Sequence, residues 1–517
     1  MKYKLLGIFA IGAMLAATAT AQTTDEELRA HPEYTNSNYL LYPEPTNVKY
    51  AKAPAGYKAF YLSHYGRHGS RYSHSDEDYK YLFGTLSKAD SLGKLTEVGK
   101  QALAYTHVLF TKAAPRAGDL TQVGVKQHQG IAKRMAKNFP EIFNGKNAKT
   151  PHIKAYASTS GRCIVSMSAF LGEFRAQFPK VEVEMVSGKS YMPSICPFDW
   201  GKLQYSELKS YTDESGKLWN SVNPKPFMAK LFNDTAYVAK NIDASKFFNR
   251  FIEIASQNPG LDESMLEDIA DEAKVPAETF LNLFTTEEKI TRWKAQNSWW
   301  YSLLGTSPLI GVQDGINFGK GILKSILDEA DTVIAADTLK ADAKNAIADK
   351  NAAQSSAQAA IADKNTDVKT AAANAKSARP PVVATLRFGH DTGLLPLAAL
   401  MQLPVANAKV SDLSKLHEQW TDFRVIPMAA NMQIVFYKST KAAKPAKGAA
   451  KSASAKKASS SKTANKTAPI LVKLLYNEIE QTLPIECGLP EAEKKDCPVA
   501  PYYRWDDFRA FYSNLLK

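Results

Sequence analysis

The sequence predicts an α/β fold: a central sheet flanked by helices and interrupted by an inserted, mostly α-helical domain. Three observations predict it. Strand-like runs lie towards both ends of the chain, three of them lead through a polar loop into chemistry-bearing residues, and the stretch between the two ends reads as helix. At 517 residues the chain is also too long for one simple core.

Six strands are expected, at 58–65, 152–157, 181–187, 382–388, 431–438 and 470–477. Between them, 245–305 carries helical patterns: FFNRFIEIA, then ESMLEDIADEA after the turn Asn258-Pro259-Gly260, then AETFLNLFTTEEKITRWKAQ after Pro276. The apolar NSWWYSLLG (297–305) reads as helix packing. The expected division is 22–190 for the first part of the α/β domain, 191–330 for the inserted helical domain and 379–517 for the second part.

The remaining segments have the composition of additions to this plan. Residues 1–21 read as a signal peptide, with Lys2 and Lys4 before an apolar run from Leu5 to Leu15 and the small residues Ala19-Thr20-Ala21 before Gln22. That run is too short to span a bilayer, no other stretch is long and apolar enough, and an exported, periplasmic or secreted protein is expected. Residues 331–378 are rich in Ala, Asp, Lys and Asn and repeat AIADKN, which suggests a protruding helix or helical hairpin, with disorder as the alternative. Residues 439–468 are Lys/Ala/Ser with no large apolar side chain, and read as a disordered basic loop joining two adjacent strands.

The formal charge of +13 resembles a nucleic-acid signal, but nine lysines and no acid fall between 438 and 468. The rest of the chain is close to neutral, so any preference for anions is local, and no nucleic-acid partner is expected. Export permits disulfides. Cys487 and Cys497 sit ten apart in a loop-like stretch and suit a local bridge, whereas Cys163 and Cys196 are open between a pair and buried thiols. No cysteine pair has metal-ligand spacing beside a histidine, so no zinc site is expected.

Three strand ends carry the chemistry. The first runs into Arg67-His68-Gly69-Ser70-Arg71, the second into Ser158-Thr159-Ser160-Gly161-Arg162, and the fourth into Gly389-His390-Asp391-Thr392. Ligands of open α/β sheets bind beyond the carboxyl ends of strands, where helix N-termini favour anions. If these strands are neighbours, Arg67, His68, Arg71, Arg162, His390 and Asp391 share one crevice. Arginine forks pair with phosphate oxygens, a histidine there can attack phosphorus, and Asp391, the one acid beside the cluster, can protonate the leaving alkoxide. The arginines supply the positive charge, so neither metal nor other cofactor is required. His64, on the strand face of Phe60 and Leu62, reads as a core histidine. His74 reads as a surface or rim residue, and His128 as a pocket support.

RHGSR near the N-terminus, RCIVSMSAF in the middle and GHDT near the C-terminus resemble the histidine acid phosphatases, the second branch of the histidine phosphatase superfamily. AGDLTQVGVKQHQGIAKRM (117–135) is similar to that family's L-T-x-x-G-x-x-Q-H helix entry, and the late cysteines fit its C-terminal bridge. Within the family, LTEVGK, GDLTQVG and RC…SMSAF look most like multiple inositol-polyphosphate phosphatases and their bacterial phytase relatives. The resemblance implies a histidine-phosphatase-like sheet, His68 as nucleophile, Arg67, Arg71, Arg162 and His390 as phosphate ligands, and Asp391 as proton donor. Two positions depart from it: Ser73 replaces the usual proline two residues after the second arginine, and His390-Asp391-Thr392 replaces the His-Ala-Glu of inositol-polyphosphate phosphatases.

The expected function is therefore a phosphomonoesterase acting on myo-inositol hexakisphosphate or related polyphosphates, a small-molecule substrate. A broad-specificity acid or sugar phosphatase with the same machinery is the runner-up. A non-catalytic exported phosphate-binding protein is the third reading, against which the presence of both His68 and Asp391 argues.

Overall fold

The computed structural model describes residues 23–145, 150–199, 209–308, 314–357, 381–440 and 468–517. The expected signal peptide, residues 358–378 of the alanine-rich segment and 441–467 of the lysine-rich loop lie outside them.

The centre is an eight-stranded sheet. Its strands are β1 (Tyr57–Arg67), β2 (His152–Ala157), β3 (Glu182–Ser187), β4 (Val382–Gly389), β5 (Asn431–Ser439), β6 (Leu471–Tyr476), β7 (Ile479–Glu480) and β8 (Tyr503–Arg504). The order is β3-β2-β4-β1-β5-β6-β7, with β8 paired to β6. The strands β3, β2, β4 and β1 run parallel, and β5 and β6 add to β1 as an antiparallel pair. The three strands that end in chemistry are thus consecutive: Arg67 lies opposite Gly389, and Ala157 opposite Phe388.

Both faces of the sheet are covered, which is why its central strands read as apolar runs. One face packs under the helices Gln122–Asn138 and Gly161–Gln177 through Met135, Phe170 and Phe174, against Leu62, Ala384 and Leu386. The other packs under Asp391–Leu400, Trp505–Asn514 and the long helix Asp314–Ala357 through Leu394, Phe508 and Ile322, against Tyr61, Tyr65 and Ile434. Phe60 belongs to this second face with Tyr61, whereas Leu62 and His64 face the first. Strict alternation put Phe60, Leu62 and His64 together; the register shift between Ala59 and Tyr61 removes Phe60 from that set. His64 packs against Phe170 and Phe388 in the core.

A third core lies outside the sheet. It joins the helices Asp76–Ser91 and Glu97–Val108 to Ala244–Ala255 and Glu263–Ala273, with Phe227, Phe247, Phe251 and Phe284 in ring contact. Residues 191–330 therefore contribute to two packing units: 227–284 to this helical core, and Trp300, Tyr301, Phe318, Ile322 and Leu327 to the sheet. Asp262 ties the units together, accepting from Tyr72 Oη at 2.9 Å, Arg116 Nη1 at 2.8 Å and Gln122 N at 2.6 Å. The start of Asp314–Ala357 covers the sheet, and its end carries the alanine-rich segment as helix to 357.

Cys487 and Cys497 form a disulfide, and Cys163 and Cys196 are free thiols. Among the described residues no helix is long and apolar enough to cross a membrane.

Candidate active site

The loop after β1 is held open by a close backbone approach. Gly69 lies against Gly124, at the start of the Gln122–Asn138 helix, so near that a Cβ on Gly69 would sit 2.6 Å from Gly124 Cα and its carbonyl oxygen. Gln127 of the same helix accepts from Ser70 N at 2.9 Å, and Thr121 N donates to Ser70 O at 2.9 Å. Gln127 was quoted in the sequence only as part of a helix motif; its contact to Ser70 spans 57 residues.

With the loop so fixed, His68 is buried and its Nδ1 lies 2.9 Å from Gly69 O. A carbonyl can only accept, so the ring proton sits on Nδ1 and Nε2 keeps its lone pair free. Burial first, then Arg162, Arg67, His390 and Arg71, holds the His68 pKa well below the usual imidazole value. The ring is neutral, the form that can attack an electrophile.

The cations surround it. Arg67 is fully buried, donating through Nη1 to Asn38 O and to Ile426 O at 2.6 Å, and pairing through Nη2 with Asp391 Oδ2 at 2.8 Å. Arg71 lies over the Tyr39 ring at 5.5 Å and donates to Tyr72 O at 2.9 Å. Arg162, in the first turn of Gly161–Gln177, donates from Nη2 to His390 Nδ1 at 3.3 Å. That contact puts the His390 proton on Nε2, which donates to Ser158 Oγ at 2.8 Å. The His390 ring meets the His68 ring at 5.5 Å, nearly edge-on. Burial and neighbouring arginines lower the pKa of both Arg67 and Arg162. A guanidinium stays protonated regardless, so an anion entering the crevice relieves the repulsion.

Asp391 heads the Asp391–Leu400 helix. Its Oδ1 accepts from Thr392 N at 2.9 Å, and its Oδ2 accepts from Asn38 Nδ2 at 3.0 Å and forms the ion pair with Arg67. Burial alone would raise its pKa, but Arg67, His390 and Arg71 outweigh it and hold the carboxyl below the usual range. An arriving phosphate carries negative charge against those same cations and pushes Asp391 back towards the protonated form.

The structure thus brings Arg67, His68, Arg71, Arg162, His390 and Asp391 into one cluster. His64 lies in the core, and His128 lies behind the cluster against Phe388 and the Arg67 backbone; burial lowers the pKa of both to about 3. His74 is exposed. Sequence reasoning missed Asn38, which lies hundreds of residues from its partner and in no motif, and Ser158, which stands in the quoted loop but was given no role. Chemically, such a cluster can bind a tetrahedral dianion, attack it with a neutral imidazole and exchange one proton with a carboxyl.

Residues 66–477 match the family model of the histidine phosphatase superfamily, branch 2. The chain belongs to that family. It is a phosphoric monoester hydrolase. Its fold is shared with the multiple inositol polyphosphate phosphatase of Bifidobacterium longum in complex with inositol hexasulfate, at 16% identity and a TM-score of 0.65, covering 93% of this chain and 97% of that one. The phosphate complex of the same B. longum enzyme gives 15% identity and a TM-score of 0.63, covering 94% and 98%. The phytase of D. castellii gives 12% identity and a TM-score of 0.53, covering 94% and 85%. No curated protein matches the chain by sequence.

Proposed function

We propose that this histidine phosphatase is exported and hydrolyses myo-inositol hexakisphosphate or related inositol polyphosphates, without a metal, through a phosphohistidine on His68. The observation that carries the mechanism is the His68 tautomer: Nδ1 is occupied by Gly69 O, which leaves the Nε2 lone pair free on a ring surrounded by arginines.

Arg67, Arg71, Arg162 and His390 bind the scissile phosphate and spread its charge over their donors. The Nε2 lone pair forms the N–P bond as the P–O bond to the alcohol breaks, and Asp391 gives its proton to the departing oxygen. Water then attacks phosphorus, Asp391 takes back a proton, the N–P bond breaks, and inorganic phosphate leaves.

The substrate class is supported by the motif resemblance and by the fold shared with an enzyme that holds inositol hexasulfate. Export is supported by the sequence of residues 1–21 and is consistent with the Cys487–Cys497 disulfide. The His390-Asp391-Thr392 donor motif favours a second reading, a broader acid or sugar phosphatase. Comparing kcat/KM for phytate, glucose 1-phosphate and p-nitrophenyl phosphate, with chelator present, decides between them. A clear preference for phytate is expected; equal values for the three esters would defeat the inositol reading. Loss of turnover in chelator would defeat the metal-free mechanism.

A further inference from the structure

Asn38 and Tyr39, near the N-terminus, reach the catalytic cluster from outside the family match, which begins at residue 66. They end the buried 3₁₀ segment Pro32–Tyr39. Ser37 donates its hydroxyl to Asp422 Oδ2, Asn38 meets both Asp391 and Arg67, and Tyr39 lies under Arg71 while donating to Glu253 Oε1 at 2.8 Å.

The backbone here is specified rather than relaxed. Ser37 has φ 61° and ψ −138°, a conformation that costs a non-glycine residue free energy unless its surroundings hold it. Asp422 does the holding. It is fully buried, it receives Trp293 Nε1 at 3.0 Å on Oδ1, and its own N–H donates to Asn297 Oδ1 at 2.8 Å. Just beyond the segment, Leu40 O accepts from Met428 N at 2.9 Å. Asn38 is thereby set with its carbonyl on Arg67 Nη1 and its amide on Asp391 Oδ2.

Each carboxylate oxygen offers two lone pairs in the carboxyl plane. Asp391 Oδ2 accepts from Asn38 Nδ2 at 3.0 Å and lies 2.8 Å from Arg67 Nη2 in an ion pair, whereas among the described residues Oδ1 accepts from Thr392 N alone, at 2.9 Å, and faces no such cation contact. We propose that Asn38 is the positioning residue of the proton donor: its hydrogen bond and the Arg67 ion pair together keep the negative charge on Asp391 Oδ2, so that the transferable proton is carried on Oδ1, and the Ser37–Asp422 latch presents it. Asn38 acts through Asp391 and is not itself a catalytic residue. The charged and titratable groups that face Asp391 are Arg67, Arg71, Arg162, His390, Tyr65, Cys163 and Cys196, and Asn38 adds a donor to that set without adding charge.

The inference rests on the phosphohistidine reading, with Asp391 as acid. It is tested with two monoesters that differ in leaving group: β-glycerophosphate, whose alkoxide needs a proton, and p-nitrophenyl phosphate, whose phenolate does not. The readout is kcat/KM, which covers steps up to leaving-group departure. Asn38→Ala and the near-isosteric, uncharged Asn38→Leu, which keeps the volume but loses the donor, should each lower kcat/KM for β-glycerophosphate by about 10- to 100-fold, a part of a full general-acid effect, and that for p-nitrophenyl phosphate by no more than about 3-fold. Ser37→Ala should move the ratio in the same direction by less. An equal loss on both esters, or an unchanged ratio in Asn38→Leu, would overturn the role, since packing alone does not distinguish leaving groups. If the unaltered chain shows the same leaving-group dependence as Asp391→Asn, the donor reading itself fails, and the role of Asn38 with it.

Discussion

Arg67 and Asp391 form a 2.8 Å ion pair in which the arginine is completely excluded from solvent. A cation so placed is stable only because carbonyls and a carboxylate replace its lost water. Asn38 O and Ile426 O take one terminal nitrogen and Asp391 takes the other. The pair joins the end of β1 to the first turn after β4, so the charge that helps bind an anion also sets the protonation of the acid beside it.

Breaking this pair from one side leaves an uncompensated buried charge. Asp391→Ala is therefore expected to lower unfolding free energy by roughly 3–5 kcal/mol, the usual cost of orphaning a buried charge. Denaturant titration at neutral pH measures it, and a change below about 1 kcal/mol would show that water reaches Arg67. The pair's contribution follows the depressed Asp391 pKa: it is present above the unfolded carboxylate value and lost as pH falls through the lower folded one.

His68 should not titrate in the ordinary range. Burial and the arginines depress its pKa, so the imidazole stays neutral as the solution becomes mildly acidic and protonates only below its shifted value. Carbon NMR of labelled histidine, with the His68 signal assigned by its loss in His68→Asn, reads this directly. A midpoint near 6.5 would contradict the buried, cation-ringed site. On the proposed mechanism, a phosphoenzyme should be trapped by alkaline quench, which preserves an N–P bond, and should be absent from the same variant.

Gly69→Ala tests the contact that shapes the loop. Its Cβ would meet backbone atoms of Gly124 at 2.6 Å, and neither partner is a flexible side-chain end. Either the Gln122–Asn138 helix or the loop must shift, at a cost typical of overpacking, about 1–3 kcal/mol. Activity should fall further than stability because His68 precedes Gly69 directly. A variant with unchanged melting temperature and kcat would show that the approach is looser than described.

Asp422 gives a stability signature of opposite sign. Burial raises its pKa to about 6, only partly offset by hydrogen bonds from Ser37 and Trp293. Its folded state holds the proton more tightly than the unfolded one, so its contribution is full below the unfolded carboxylate pKa and declines as pH rises through about 6. Asp422→Asn should therefore gain on the unaltered chain by on the order of 2 kcal/mol between pH 4 and pH 8. Parallel stability curves for the two proteins over that range would mean that Asp422 is not protonated more readily when folded.

Much of the site was legible because its signals are local. RHGSR, SGR and GHDT each follow a strand within one to three residues, and the residue types alone specify a cluster of positive charge with one acid. The strand spans followed from short apolar runs, and their ends moved by at most two residues. Where strict alternation failed, at Phe60, the cause was a register shift that depends on the pairing of β1 with β5.

By itself the sequence determined six of the eight sheet-forming segments, missing the two-residue strands Ile479–Glu480 and Tyr503–Arg504, together with the loops that carry arginine, histidine and aspartate, and hence the kind of chemistry available. The tertiary structure decided which groups act on one another. Asn38 reaches Asp391 across 353 residues, Ser37 reaches Asp422 across 385, and Gln127 reaches Ser70 across 57. No local pattern records such contacts, because a hydrogen bond depends on where two side chains arrive in space. The tautomer of His68 and the protonation of Asp391 are set by those arrivals, through burial and the charges that surround each group.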